Sequence, residues 1–398
     1  MSKSLSQSLS QRVQNIKPSP TLAITARAKA LKAAGEDIIG LGAGEPDFDT
    51  PEHIKQAAIV AINAGDTKYT AVDGTPELKA AVARKFARDN QLTYSMEQIL
   101  VSCGGKHSFF NLTQALLNAG DEVIIPAPYW VSYPDIVTLA EGVPVIIAAG
   151  IEAGFKITPE QLSAAITPKT RMVVINSPSN PTGVSYSQNE LKALGAVLLQ
   201  HENIIVVTDD IYEHINLTGE LFANIVTLCP ALFERSVVLN GVSKAYSMTG
   251  WRIGYAGGPQ WLISAMKKIQ SQSTSNPASI SQAAALAALD GDQSCIQTMV
   301  TAFHERHDYV LGRLNAMKGI QCLSSQGAFY SFPNCQKAIA ALGLADDMAF
   351  AEHLISESGV ALIPGSAFGA PGYVRLSFAT SLENLTQALD RIESIVNI

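Results

Sequence analysis

Apolar residues recur along this chain with two different periods, and the switches between them divide it into alternating helices and strands. Pro76 to Asn90 repeats its apolar residues at helical spacing and opens with proline in the first turn, where the missing N–H has no intrahelical partner to lose. Gln98 to Cys103 is then a short apolar strand, Lys106 to Asn118 a helix, and Glu122 to Ile125 a strand followed by a proline-flanked turn at Tyr129-Trp130. Val131 to Ala140 reads as helix and Val143 to Ala148 as strand. Thr158-Pro-Glu-Gln161 marks a further helix start, with an N-cap, a proline at the first helical position and a glutamine placed for a capping box. Arg171 to Ile175, Ile204 to Val207 and Val237 to Leu239 are apolar at consecutive positions, as strands buried on both faces require. From about Asn276 the pattern becomes more helical, with a long stretch from about Gln293 to Met317. Strand-like segments at Ala328 to Phe332, Val360 to Ile363 and Tyr373 to Ser377 follow, interleaved with helices such as Ser381 to Val396.

This order predicts an α/β fold in which a mostly parallel sheet is covered by helices on both faces, with a smaller α+β domain after it. The expected division is residues 1–47 as an N-terminal arm and part of the small domain, 48–300 as the large domain and 301–398 as the small one. The Ser-rich first ten residues read as a loose arm. A chain of 398 residues is too long for one core, which agrees with two unequal domains. The net charge of −7 carries no basic stripe, so nucleic acid is not an expected partner. No apolar run approaches the roughly 18 residues of a membrane span, and the polar start lacks a signal core, so a soluble cytoplasmic protein is expected. Five scattered cysteines without a C-x-x-C pair read as reduced thiols rather than a disulfide framework or zinc site.

Candidate chemistry gathers at turns after strands. In Asn240-Gly-Val-Ser-Lys-Ala-Tyr-Ser-Met-Thr-Gly-Trp-Arg252, Lys244 sits in a small-residue turn with Arg252 eight positions on. A lysine can form an imine with an aldehyde cofactor once its surroundings lower its pKa, and a nearby cation can hold a phosphate. Asp209 ends an apolar run and is followed three residues later by Tyr212, so both could project into the crevice at a strand end. A carboxylate there can keep a pyridine nitrogen protonated, and the phenol can bond a ring oxygen. Asn180-Pro-Thr-Gly183 offers an amide to the same oxygen, and Gly104-Gly105-Lys106 opens a helix where free N–H groups favour an anion. Trp130 offers an indole to stack on a planar ring. Taken alone, the lysine turn, Asp209 with Tyr212 and Asn180–Gly183 read more commonly as surface, packing or turn residues, and Trp130 equally well as core; their ordered company points to one site. Two other segments do not join it: Gly40-x-Gly42-x-Gly44 lacks the spacing of a dinucleotide fingerprint, and His304-Glu-Arg-His307 reads as a solvated helix face rather than a metal site.

Together with Leu41-Gly-Ala-Gly-Glu-Pro-Asp-Phe-Asp-Thr-Pro51, Lys68-Tyr-Thr70, Pro128-Tyr-Trp-Val-Ser-Tyr-Pro134 and Arg375-Leu-Ser-Phe-Ala379, these segments resemble the class I pyridoxal-phosphate aminotransferases of fold type I along essentially the whole chain. The resemblance is strongest to the bacterial aspartate and prephenate aminotransferase subgroup. It implies pyridoxal 5′-phosphate as cofactor, with Lys244, Asp209 and Tyr212 catalytic. It further implies that Gly104, Gly105 and Arg252, with Tyr69 from a partner subunit, hold the phosphate, while Trp130 and Asn180 contact the ring; Ser243 is the candidate to take over the phosphate contact that Gly241 lacks. Arg375 would grip the substrate α-carboxylate, with Gly44, Trp130 and Asn180 beside it. The family forms homodimers with shared active sites.

Departures from the family are informative. Gly241 stands where many relatives carry a phosphate-binding serine, and Ser271 where others place a partner-subunit arginine for the distal carboxylate. In the resembling subgroup the lysine of Gly-Gly-Lys replaces that arginine, which makes Lys106 the candidate here; Lys17 matches a lysine implicated with prephenate, so Lys17 and nearby Ser19 are candidate substrate contacts. The expected reaction moves the amino group of L-aspartate to 2-oxoglutarate by ping-pong kinetics, with prephenate as a further acceptor. Alternatives are an aromatic or aliphatic preference, C–S lysis on the same fold, or an effector-binding domain of a regulator. The last is not expected, because Gly42–Glu45 begins too near the first residue for a DNA-binding domain ahead of it.

Overall fold

The computed structural model describes residues 9–18 and 20–397. Twelve strands occur among them, in chain order β1 Ile39–Gly40, β2 Ile99–Ser102, β3 Glu122–Ala127, β4 Val143–Ala148, β5 Thr170–Asn176, β6 Ile205–Asp209, β7 Ser236–Gly241, β8 Gly254–Gly257, β9 Tyr330–Ser331, β10 Val360–Ala361, β11 Ile363–Pro364 and β12 Val374–Ser377. Seven of them form one sheet in the order β2-β8-β7-β6-β5-β3-β4. Only β8 runs against the others, pairing antiparallel with β2 and β7. The remaining neighbours are parallel, so the ends of β5, β6 and β7 lie side by side, with Asn176 in register with Asp209.

The apolar runs that predicted doubly buried strands do bury both faces. Val173, Ile175, Val206 and Val238 join one core with Leu78, Phe86 and Leu194 from covering helices, whereas Val174, Val207, Val237 and Leu239 join a second with Phe109, Leu112 and Met266. Burying each such side chain stabilises the fold by roughly 1.5–3 kcal/mol. Helix Pro76–Asn90 starts as its sequence predicts, with Thr75 capping it and Pro76 at the first position. The expected capping box at Thr158 and Gln161 is present as well.

A third core is built by β9, β10, β12 and helix Leu382–Val396 against helix Ser294–Ala316. That 23-residue helix belongs to two cores at once, since Ile296 packs with the large sheet and Met299, Phe303, Val310 and Leu314 pack in the third core. The expected division at residue 300 therefore falls inside a continuous helix. β1 pairs parallel with β10, and β12 lies between β11 and β9 in an antiparallel sheet. The strand expected from Val360 to Ile363 is two strands in different sheets, and that from Ala328 to Phe332 narrows to Tyr330–Ser331.

In His304-Glu-Arg-His307 the reading of a solvated face holds for His304 and Glu305, which are exposed, and fails for His307. His307 is buried, its Nε2 accepts the Ser325 amide at 2.9 Å, and burial lowers its pKa. No helix among the described residues is long and apolar enough to cross a membrane.

Candidate active site

The parallel strand ends and the third core face each other across a cavity of about 380 Å³. Lys244 enters it from the turn after β7, and its amine donates to the Gly44 carbonyl from the loop that follows β1. Burial pushes this amine down to about 8, with the Arg375 charge adding to the shift and Glu45 opposing it. Asp209 reaches in from the end of β6. The Tyr133 hydroxyl donates to its Oδ2 at 2.6 Å and the Ile211 amide to its Oδ1 at 3.3 Å, while Asn176 Nδ2 holds its carbonyl at 2.9 Å. Burial raises the Asp209 carboxyl, and these donors pull it back.

Arg375 comes from β12 on the opposite wall and is almost fully buried. It donates to Asn180 Oδ1 at 2.8 Å and to the Gly42 carbonyl at 2.7 Å, and its guanidinium lies over the rings of Tyr330 and Phe368 at 4.4 and 5.0 Å. Its Nε has no hydrogen-bond partner among the described residues, and neither does Thr21 Oγ1, which also lines the cavity. A buried, unpaired donor on a cation is costly unless something else accepts from it. Asn180 accepts from Arg375 through its oxygen, so its two amide hydrogens remain for another group.

At one end of the cavity the backbone closes tightly. Gly104 has φ +91°, and a Cβ there would lie 2.3 Å from Arg252 Nη2. A Cβ on Gly254 would lie 2.3 Å from the Gly105 nitrogen, so β8 is glycine where it passes beneath the loop. Gly105 begins helix Gly105–Leu116, whose first N–H groups and dipole face this end. Arg252 reaches over the turn and donates to the carbonyls of Thr249 and Cys103. Lys106 stands at the rim with its ammonium 5.1 Å from the Trp130 ring, and Trp130 meets Tyr133 edge to face at 5.1 Å. Gly241 also has a packing reason, since a Cβ there would lie 3.0 Å from Gly254 Cα and from the Ile253 carbonyl.

Of the residues singled out in the sequence, Gly44, Gly105, Lys106, Trp130, Asn180, Asp209, Tyr212, Ser243, Lys244, Arg252 and Arg375 all line this one cavity, and Gly104 packs directly behind Arg252. Three others are not brought there by this chain. Tyr69 is 92% exposed, Ser271 is exposed at the end of helix Gln260–Ser271, and Lys17 is exposed after the short helix Gln11–Asn15. Ser19 lies outside the described residues. Sequence reasoning did not single out Tyr133, Tyr330, Asn176, Asn240 or Glu45, all of which line the cavity. Tyr133, Asn240 and Glu45 had a signal, since they lie in the Pro128–Pro134, Asn240–Arg252 and Leu41–Pro51 segments, whereas Tyr330 and Asn176 stood only in strand-like runs.

Behind the cavity a buried network supports the β7 end. Asn240 donates to Glu213 at 2.7 Å and accepts the Gly241 amide at 2.7 Å, while Glu213 pairs with the fully buried Lys85. Asp89, Glu213 and His214 bring ligand-type atoms within 4.8 Å of one another, but Lys85 and Arg88 already balance the two carboxylates.

A family model described as aminotransferase class I and II matches residues 36–392. The aspartate/prephenate aminotransferase of Nitrosomonas europaea is 61% identical over 98% of this chain and 100% of its own length. The solved aspartate aminotransferase of Rhizobium meliloti superposes with a TM-score of 0.94 at 49% identity, covering 98% of both chains. That of Thermus thermophilus with maleate does so with a TM-score of 0.92 at 44% identity, covering 97% of this chain and 99% of the other.

Proposed function

The chain belongs to the class I and II aminotransferases, and from that premise we propose that it moves the amino group of L-aspartate to 2-oxoglutarate with pyridoxal 5′-phosphate as cofactor. Prephenate is a further proposed acceptor, following the name of the Nitrosomonas relative. The observation that carries the reading is the convergence of Lys244, Asp209 and Arg375 on one cavity: a depressed amine, a buried carboxylate and a carboxylate-binding fork.

The chain's own features fit that cofactor. The glycine cradle at Gly104, Gly105 and Gly254, with the helix start and Arg252, suits a phosphate that would be held by backbone N–H groups, Ser243 and one guanidinium. When bound, pyridoxal phosphate supplies a conjugated ring that takes up the electron pair left at the substrate α-carbon. Asp209, already fixed by Tyr133, would keep a proton on the ring nitrogen. Tyr212 and the spare amide hydrogens of Asn180 would hold the ring oxygen, and Trp130 would cover the ring face. Arg375 would bind the α-carboxylate, its Nε gaining a missing acceptor, with Gly44 close by. Lys244 would then take the α-proton as general base, because an amine lowered to about 8 supplies far more free base near neutrality than an ordinary lysine does.

Lys106 is the proposed cation for the distal carboxylate of aspartate. It sits at the rim beside Trp130, on the same helix start as the phosphate cradle. We propose a homodimer in which Tyr69 and Ser271 serve the partner's cavity. Tyr69 is exposed, as are the apolar side chains of Ile59, Val60 and Ile62 shortly before it in the chain, groups that a second copy would cover. Mixing Lys244→Ala with Tyr69→Ala under subunit exchange should restore part of the activity, and no recovery after proven exchange would remove the shared site. We also retain the cytoplasm as the proposed location, where five free thiols would stay reduced.

The decisive experiment is an amino-donor panel with 2-oxoglutarate, plus prephenate as acceptor. Aspartate should give oxaloacetate and glutamate at the highest kcat/KM. Pyruvate and ammonia released from cysteine-like donors without any acceptor would replace transamination by elimination.

A further inference from the structure

We propose that Tyr330 is a positioning residue that couples the ring-oxygen donor Tyr212 to the carboxylate fork Arg375. This rests on the reading of Tyr212 as the group facing the cofactor's ring oxygen.

The two phenols meet hydroxyl to hydroxyl at 2.8 Å, with ring centroids 5.8 Å apart and planes at 81°. Both are buried, both line the cavity, and burial holds both well on the protonated side. Their mutual bond is the only side-chain hydrogen bond of either hydroxyl among the described residues. Two hydroxyls carry two protons and the bond uses one. If Tyr330 donates, the proton of Tyr212 remains for a ligand oxygen, and accepting a hydrogen bond makes Tyr212 the stronger donor.

Tyr330 is well placed to stay the donor. Its backbone is locked in β9, with Tyr330 in register with Ser377 of β12 and its carbonyl accepting from Ser325 Oγ at 2.5 Å. Its ring lies under the Arg375 guanidinium at 4.4 Å, so the hydroxyl and the ring face serve two different neighbours. Gly44 completes the enclosure, since a Cβ there would come within 3.2 Å of the Tyr330 oxygen. The charged groups facing the pair are Arg375 from β12, Glu45 from the loop after β1, Asp209 from the end of β6, and Lys244, whose amine is 5.8 Å from the Tyr212 ring. Tyr212 belongs to the loop after β6 and Tyr330 to the antiparallel sheet, so this bond, like that from Arg375 to Asn180, joins the two walls of the site.

The test follows the visible absorption of the bound cofactor as pH is varied, with Tyr330→Phe, Tyr212→Phe and the double variant. Phenylalanine keeps the ring and its stacking, and near-ultraviolet circular dichroism of each cofactor-free variant checks the fold. Losing the Tyr330 hydroxyl should weaken donation to the ring oxygen, favour its protonated form and move the midpoint up by about half to one pH unit, the equivalent of one ordinary hydrogen bond. Tyr212→Phe should move it at least as far, and the double variant no further than Tyr212→Phe alone. In Tyr330→Leu, where the ring is lost too, KM for amino donors should rise in addition, because Arg375 loses its stacking surface. An unmoved midpoint in Tyr330→Phe beside a shifted Tyr212→Phe, or additive shifts in the double variant, overturns the coupling. A wild-type protein that takes up no pyridoxal phosphate would instead overturn the functional reading, and the two failures are therefore distinct.

Discussion

The floor of the cavity and the wall facing it differ in how completely their polar groups are matched. On the floor, Asp209 has both oxygens and its carbonyl engaged, and Asn240 is tied to Glu213 and the Gly241 amide. On the facing wall, the Arg375 Nε and the Thr21 hydroxyl lack partners among the described residues, and at the rim, on the helix that starts at Gly105, Lys106 has an aromatic face beside it. A preorganised floor suits a partner that stays, since its groups need no rearrangement. Unmet donors suit ligands that come and go, because each arriving carboxylate supplies the missing acceptor.

This contrast makes different predictions for substitutions on the two sides. The largest effect is expected on the floor, where Lys244→Ala should abolish the visible band of bound cofactor and lower turnover by at least about 10²–10⁴ for every donor. Rapid turnover by that variant without added amines would leave the floor without its reacting group. At the rim, Lys106→Ala should lower kcat/KM for aspartate by about ten- to a hundredfold and leave phenylalanine nearly unchanged, since only aspartate presents a second carboxylate. Equal losses for both donors, with cofactor saturation checked, would move Lys106 to the phosphate end and blur the contrast.

Tyr133→Phe sharpens it from the other direction. Removing the hydroxyl takes a donor from Asp209, so its carboxyl should rise further, and activity should fall about tenfold for all donors alike. A donor-selective loss would contradict the floor's uniform role. The smallest effect concerns pH and the cofactor-free protein. Lys244 is held at about 8 against an ordinary 10.5, so between those values the unfolded chain binds the proton more tightly. Stability from this group therefore rises with pH through that window and is lowest below it. Comparing wild type with Lys244→Ala by thermal unfolding at several pH values isolates the effect, with the variant's advantage expected to shrink as pH rises. A constant gap would mean that the amine is not depressed.

The floor was also the more legible side from sequence. Consecutive apolar residues mark β5, β6 and β7, and a polar residue closing each run, such as Asp209, lies by geometry at a strand end. The rest depends on packing between segments far apart in the chain. Tyr330 is an aromatic in an apolar stretch, and only its approach to Tyr212 and Arg375 distinguishes it from Phe329. β8 is short and glycine-rich, which weakens its strand signal; Gly254 is there because backbone crosses backbone, and Gly257 because the Tyr94 and Phe86 rings press against it. His307 looked solvated because Glu305, Arg306 and Asp308 surround it in sequence, yet its helix turns it toward the Ser325 amide. Tyr69 and Ser271 are exposed and do not line their own cavity, and their place relative to a partner is not written in one chain.

Helix Ser294–Ala316 leaves its mark on how this protein would fare in a cell. Because it is stapled into two cores, a lesion in either one is felt across the molecule and cannot be quarantined. An inherited change at Phe303, far from any reacting group, would then be expressed as scarcity: fewer chains escaping chaperones and proteases, each survivor still competent.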